Sequence, residues 1–470
     1  MRILFIHRFH FFEPQSIISL SAILKMHGHT CFFIDTMFEK NINKTISIIA
    51  PDIIAYSVTT GSHNYYTKLN LKLKKTFAFI SIFGGVHTTS FPEFIHEEGV
   101  DIICIGEGEY AFLELVENLK NNKEITSIRN LWIKKNGIIH KNALRNLIDN
   151  LDELPLPDRE LLKKYAIYSK LHTLLIQTAR GCYNNCSFCF SPFYNKIYTN
   201  KGKVLRKRSV NNVIEELLEI SRNYTPKRIQ FVDDTFNSDY DWAYEFLDLY
   251  KQKIKLPFYV FIRAGNIEDD FIKKLKEAGC SHIEIGVESG NEDFRKSVLL
   301  KNISDNQIIN TISAFIRNGI KVMTLNILAL PDETIDMAFQ TININIKARP
   351  TYSSSSIFTP LPSTKLYEYS LQRGFLKDNS KNILGKKFFF SGSLLVMNDI
   401  NKLVRLHYLF NFTVNHPKLI PIIKLLIKLP FDSVYKLFKH FDRAWNYIFV
   451  INKIDIRSIL LFIWYRLNKK

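Results

Sequence analysis

"TARGCYNNCSFCFSP", residues 178–192, gathers three of the chain's six cysteines within eight positions. Three residues separate Cys182 from Cys186, and two separate Cys186 from Cys189. The apolar run Leu174–Thr178 that leads into them reads as a strand, so the thiols occupy the loop directly after it. Thiolates are soft ligands that suit zinc and iron–sulfur clusters. A closed zinc site needs a fourth Cys or His, and there is no second Cys-x-x-Cys pair. Cys31, Cys104 and Cys280 are scattered in apolar surroundings, where a free thiol behaves as a small hydrophobe. A 4Fe–4S cluster held by three cysteines leaves one iron open to a small molecule. Chance clustering, or a zinc site completed by a distant His, are the alternatives.

Working outward, strands and helices alternate as far as Gly374. Further strands are expected at Arg228–Val232, Phe258–Ile262, His282–Val287, Lys321–Leu328 and Tyr352–Phe358. Helical stretches at Val210–Tyr224, Asp239–Lys253, Asp269–Ala278, Asp305–Asn318 and Glu333–Lys347 separate them. Six βα units predict a partial (β/α)6 TIM-type barrel over residues 173–375.

The first 125 residues alternate on a shorter period. Strands at Arg2–Ile6, Thr30–Ile34, Ile53–Val58, Ala78–Phe83 and Asp101–Ile105 predict an α/β, doubly wound, flavodoxin- or Rossmann-like parallel sheet. Such sheets bind ligands in the loops beyond the carboxyl ends of their strands. Residues 126–172 read as a connector, with a hairpin at Leu131–Lys141 around Asn136-Gly137 and an extended stretch marked by Pro155 and Pro157. Residues 376–470 lack the alternation and read as a mostly α-helical extension.

Composition sets the class. A chain of 470 residues, 46% hydrophobic and 23% charged, suits two or three globular domains. The first residues lack the apolar core of a signal peptide, and no apolar run reaches the roughly 18–20 residues of a membrane-spanning helix, so a reducing, cytoplasmic setting is expected. The net charge is +18, and residues 377–470 hold 17 Lys/Arg against 5 Asp/Glu, an excess of 12. Basic amphipathic helices carrying Trp445, Tyr447, Phe449 and Trp464 suit an anionic surface, giving the expectation of peripheral contact with the inner face of the membrane. A helical cap on the barrel with a solvated basic face is the alternative. Nucleic acid is not expected, because no recognition motif accompanies the charge.

The Cys-x-x-x-Cys-x-aromatic-Cys pattern, with Phe188 as the aromatic, resembles the radical S-adenosylmethionine (SAM) superfamily. The resemblance implies a 4Fe–4S cluster on Cys182, Cys186 and Cys189 whose open iron chelates SAM, and one-electron cleavage of SAM to a 5′-deoxyadenosyl radical. "RSVNNVIEEL" (208–217), "IQFVDDTF" (229–236), "FIRAGNI" (261–267) and "LKEAGCSHIEIGVESGNE" (275–292) resemble later segments of that family. They imply SAM contacts from Asp233, Asp234, Arg263, Glu288 and Ser289, although an Asp pair at a strand end serves equally as a helix cap. "LNILALPDET" (325–334) resembles a Gly-x-Pro-Gly-Glu-Thr motif in which Ala329 and Asp332 replace both glycines, so a different local turn is expected.

"GGVHTTSFPE" (84–93), "DIICIGEGEYAFLEL" (101–115) and "NLDELPLPDRELL" (150–162) are similar to the cobalamin (B12)-binding-domain class within that superfamily. That resemblance implies cobalamin contacts from Ser57, Thr59, Thr60, Gly84, Gly85, His87, Gly106, Glu107 and Gly108. The cobalt-ligating Asp-x-His-x-x-Gly motif is absent, since the first loop reads "HRFHFFEPQ" with His7 and His10 at the wrong spacing. Two cofactors imply methylation of an unactivated carbon of a hydrophobic, lipid-like or natural-product small molecule, with electrons from a flavodoxin or ferredoxin. The cofactors carry the difficult chemistry, so no catalytic acid or base is assigned. Oxidative cyclisation of the magnesium-protoporphyrin monomethyl ester cyclase type, or a non-catalytic cobalamin or redox sensor, are the rival readings.

Overall fold

The computed structural model describes residues 1–9, 12–169, 171–376 and 392–446. The described chain falls into two compact units, one of residues 1–183 with 190–234, the other of 184–189 with 235–376 and 392–446.

The first unit is built on β1 (Arg2–His7), β2 (Thr30–Asp35), β3 (Ile53–Ser57), β4 (Ile80–Gly84), β5 (Ile102–Cys104), β6 (Leu131–Lys135) and β7 (Ile138–Lys141). They form one sheet in the order β2-β1-β3-β4-β5-β6-β7. The first five are parallel, as runs such as Ile3-Leu4-Phe5-Ile6 and Ile53-Ile54-Ala55-Tyr56, buried along their length, require of a sheet covered on both faces. The hairpin expected within the connector instead extends this sheet antiparallel, with Ile102 opposite Ile133 and Cys104 opposite Leu131. Burying Leu131 and Ile133 explains the attachment.

The same unit holds β8 (Thr173–Ile176), β9 (Ala179–Arg180), β10 (Arg206–Lys207) and β11 (Arg228–Phe231), with β8 parallel to β11 and β9 antiparallel to β10. Helix Val210–Asn223 follows β10, its N-terminus capped by Ser209, whose hydroxyl accepts from the Asn212 amide. The stretch around Pro155 and Pro157 ends in a tight anchor. Arg159, 5% exposed, pairs with Glu13 at 3.1 Å and Glu216 at 2.7 Å. It also donates to the Leu175 carbonyl in β8.

The second unit carries β12 (Phe258–Ile262), β13 (Cys280–Glu288), β14 (Lys321–Leu328) and β15 (Tyr352–Ile357), parallel and in sequence order. Helices Asp269–Glu277, Asp305–Arg317 and Ile335–Ala348 make the crossovers. Helix Ile400–Asn415 then packs against β15 and helix Ile335–Ala348, placing Leu403, Leu406, Leu409 and Phe410 in one apolar cluster with Leu328, Phe339 and Ile342. This part of the extension is therefore core. The expected aromatic residues Tyr447, Phe449 and Trp464 lie outside the described residues.

The loop after β14 keeps the glycine-type turn that its sequence argued against. Ala329 and Asp332 both hold positive φ, 60° and 64°. Asp332 is clamped by the Tyr369 hydroxyl at 2.5 Å and by Arg373 at 3.2 Å, which offsets the backbone strain. Beside it, Glu333 is buried, and its Oε2 accepts from the Leu330 amide at 3.2 Å. Oε1 has no hydrogen-bond partner. Desolvation pushes this carboxyl up to about 8, so it is neutral at physiological pH.

Ionising Glu333 penalises the folded state alone, so its contribution is lost progressively from about pH 4.5 to about pH 8. In denaturant titrations we expect the stability of wild type relative to Glu333→Gln to fall across this window by on the order of 2–4 kcal/mol. A second expectation concerns Gly290, where an added Cβ would lie 2.4 Å from the Gln340 carbonyl oxygen and 2.5 Å from Thr341 Cα. Gly290→Ala should lower stability by about 2 kcal/mol, read from the same titrations, because backbone cannot yield as a flexible side chain does.

Candidate functional site

The first unit encloses a cavity of about 490 Å³ at the carboxyl ends of β1, β3, β4 and β5. Its inner wall is apolar, with Phe5, Leu20, Ala55, Ile82 and Phe112, and its rim is formed by glycine turns. Ser57, Gly84, Gly85, Gly106, Glu107 and Gly108 all line it. Gly85 has φ +108°, and a Cβ there would come within 2.7 Å of the Val58 carbonyl oxygen. Gly106 has φ +77° and lets the backbone lie against the Tyr198 ring, whose hydroxyl accepts from the Glu107 amide at 3.2 Å. Both turns pack too closely against their neighbours to admit a side chain, and their backbone lines the cavity.

Thr59, Thr60 and His87 are not in its lining. His87 is 2% exposed, stacked on His63 with ring centroids 3.9 Å apart, and bonded through Nδ1 to the Thr60 hydroxyl at 3.2 Å. Burial, with His63 adding to it, pushes its pKa down to about 3, so the ring stays neutral. His7 stacks on Phe33, and His10 lies outside the described residues.

The cavity also draws on residues from the β8–β11 region: Gln177, Arg180, Gly181, Phe190, Ser191, Tyr194, Arg206 and Asp234. Four charges organise this side. Glu107 takes Arg206 at 2.9 Å and Arg180 at 3.2 Å, and Glu109 takes Arg180 at 2.6 Å. Burial raises the Glu109 pKa, but Arg180 beside it wins and holds the carboxyl below its usual value. Gln177, Tyr194 and Arg206 carry no spacing signal, and only the fold reveals them.

Asp233 and Asp234 diverge. Asp233 is 2% exposed and accepts from the Thr178 and Ala179 amides at 2.7 and 2.9 Å, and from the Thr178 hydroxyl, locking the end of β11 to the start of the cysteine loop. Asp234 faces the cavity and accepts from Ser191 at 3.5 Å. Within the loop, Gly181 has φ +93°, and a Cβ there would meet the Val204 carbonyl oxygen at 2.0 Å. The Cys182 carbonyl accepts from Asn195 Nδ2 at 2.9 Å.

Cys186, Phe188 and Cys189 belong to the second unit. The Cys189 amide donates to the Cys186 carbonyl at 3.1 Å, and Arg263 approaches the Cys186 sulfur at 4.0 Å. None of the six cysteines forms a disulfide. Among the described residues no three His, Cys, Asp or Glu form a single-ion ligand set. A cuboidal cluster is wider than one ion and sets its sulfurs further apart. Glu288 ends β13 with φ +65° and pairs with the buried Lys301 at 2.9 Å, so a positive partner already answers its charge. Ser289 is fully buried, and its carbonyl takes Arg295 at 2.6 Å.

Comparison with known proteins agrees with this layout. The B12 binding domain model matches residues 1–116, and the radical SAM superfamily model matches residues 176–343. An uncharacterized methyltransferase of Pyrococcus horikoshii is 31% identical over 373 residues, covering 77% of this chain and 79% of that protein. An anaerobic magnesium-protoporphyrin IX monomethyl ester cyclase of Cereibacter sphaeroides is 24% identical over 453 residues, covering 88% and 72%. The solved structure of OxsB, a cobalamin-dependent SAM radical enzyme with aqua-cobalamin and SAM bound, shares the fold. Its TM-score is 0.69 at 18% identity, covering 99% of this chain and 75% of that one. Among the described residues no helix is long and apolar enough to cross a membrane. The α/β architecture of a B12-binding domain followed by a radical SAM domain is thereby established, with SAM, a 4Fe–4S cluster and cobalamin as the implied cofactors. The chain belongs to the radical SAM superfamily, in its B12-binding-domain class, and is an enzyme of cobalamin-dependent radical SAM chemistry, methyltransferase-like or cyclase-like.

Proposed function

We propose that the enzyme methylates an unactivated carbon of a hydrophobic or natural-product substrate, with a 4Fe–4S cluster held by Cys182, Cys186 and Cys189 and electrons from a flavodoxin or ferredoxin. One observation carries the reading. The glycine turns after β4 and β5 and the residues bracketing the cysteine loop, from Arg180 and Gly181 to Phe190 and Ser191, line a single cavity. When bound, the cofactors supply a methyl carrier and a hydrogen-abstracting radical.

The chain's own residues bind and orient. Backbone at Gly84, Gly85 and Gly106–Gly108 would hold cobalamin, with Ser57 and Asp234 as polar contacts. Glu107 holds the position of Arg180, two residues before Cys182. Arg263 beside Cys186, Glu288 beside Lys301, and Phe188 are the second unit's candidates for SAM. The relative at 31% identity is named a methyltransferase, which favours methylation over cyclisation.

The tail supports a further part of this reading. Helix Asp432–Trp445 leaves Val434, Leu437, Phe441 and Trp445 exposed, a row at helical spacing, and Lys424, Lys428 and Lys436 lie along the same helical region. This row suits an anionic lipid surface. Removing residues 377–470 would also remove the core helix Ile400–Asn415, so replacing Val434, Leu437 and Phe441 by Ser is the cleaner test. Co-sedimentation with phosphatidylglycerol vesicles should drop several-fold, and unchanged binding would sink the membrane role.

Anaerobic reconstitution with iron, sulfide and hydroxocobalamin should give about four irons per chain, a corrin spectrum, and 5′-deoxyadenosine when SAM and reductant are added. Cys186→Ala should lose both cluster absorbance and deoxyadenosine, and a variant that kept them would refute the reading. Gly181→Ala should reduce iron content by displacing the backbone next to Cys182.

A further inference from the structure

The two faces of the second unit's sheet differ. One is packed against helices: Thr324 and Asn326 bond to Asn345 at 2.6 and 2.9 Å, and Ser355 bonds to His407 at 3.0 Å. Alternate residues of a strand point to the opposite face. The register sets those residues in rows, with Glu284 between Phe261 and Met323, and Gly286 beside Leu325, itself beside Ser354. Phe261, Leu325, Ile327, Ser354 and Ser356 are all partly exposed there, so this face is accessible. Towards the amino-terminal end it is closed by Tyr352 and by Tyr259 stacked on His282 at 4.2 Å.

Glu284 sits in the middle of this face, 8% exposed. Among the described residues it forms no hydrogen bond and no ion pair. Desolvation alone pushes its carboxyl up to about 7, with no nearby charge to counter it. Glu288, at the end of the same strand, shows the usual remedy in Lys301. A buried carboxyl with no donor is costly, and here it stands between an aromatic ring and a thioether that offer none. No donor among the described residues answers it, and the groups around it suit a partner from outside the chain that is positively charged at one point and apolar elsewhere.

We propose that this face receives the substrate and that Glu284 binds a protonated amine carried on an otherwise apolar body. The proposal rests on the reading of the chain as a radical SAM enzyme and names the substrate class that reading leaves open. Phe261 would flank the ammonium with its ring face. Leu325 and Ile327 would cover the carbon skeleton, and the Ser354 and Ser356 hydroxyls would serve any polar group on its far side.

The test is calorimetric, on the full-length chain, with n-hexylammonium and 1-hexanol as probes. Wild type should bind n-hexylammonium about tenfold more tightly than 1-hexanol, the scale of one charge-assisted hydrogen bond. Glu284→Gln should erase that preference, and Glu284→Asp, which keeps the charge, should retain part of it. The proposal is overturned if wild type shows no preference, or if Glu284→Gln preserves it. Weakening of SAM binding in Glu284→Gln by a similar factor would overturn it too, assigning the carboxyl to SAM itself. Deoxyadenosine release by the reconstituted wild type reports separately on the enzyme class, so the two failures are distinguishable.

Discussion

The first unit depends on Arg159. Its guanidinium, taken out of water between Glu13 and Glu216, joins the loop after β1 to helix Val210–Asn223 and reaches the backbone of β8. A buried ion set of this kind is strongly destabilising to break, by about 3–5 kcal/mol when one partner is removed, because an uncompensated charge stays behind. The cost of burial raises the Glu13 pKa even with Arg159 beside it, whereas Glu216, facing both Arg159 and Arg208, falls below its usual value. The arginine thus fixes where β8 lies, and with it where the cysteine loop begins.

A second ion set works nearer the chemistry. Arg180 and Arg206 face Glu107 and Glu109, so the turn after β5 is tied by charge to β9 and β10. Two cations against two anions leave no net charge beside a cavity whose inner wall is apolar. The polar work at the rim falls to backbone and to Ser57, Ser191 and Asp234.

Much of this was legible in the residues because strand runs here are β-branched and buried, and helix starts are marked by Ser209, Ser304, Thr334 and Asp239 caps. Side-chain direction in loops was not legible. Thr59, Thr60 and His87 sit in the right segments, yet His87 turns into the core because stacking on His63 is available there. Nor did the sequence reveal that the turn at Ala329 and Asp332 survives the loss of both glycines, since Tyr369 and Arg373, which hold it, come from another helix. The hairpin at 131–141 carried its own turn signal, but its docking depended on Ile102 and Cys104 offering an open edge. Asp233, read as a ligand or a cap, is engaged by three donors of the Thr178–Ala179 segment, a pairing across more than fifty positions that no local pattern encodes.

Helix Ile400–Asn415 has a consequence for how the chain is made. Eleven of its residues are buried, and it shares an apolar cluster with β14 and helix Ile335–Ala348. During vectorial synthesis the second unit therefore has an uncovered apolar flank until this helix leaves the ribosome, long after its last strand. Domains fold as units once their cores can close. Nascent chains stalled just before residue 400 should thus be the form of this protein that chaperones engage most.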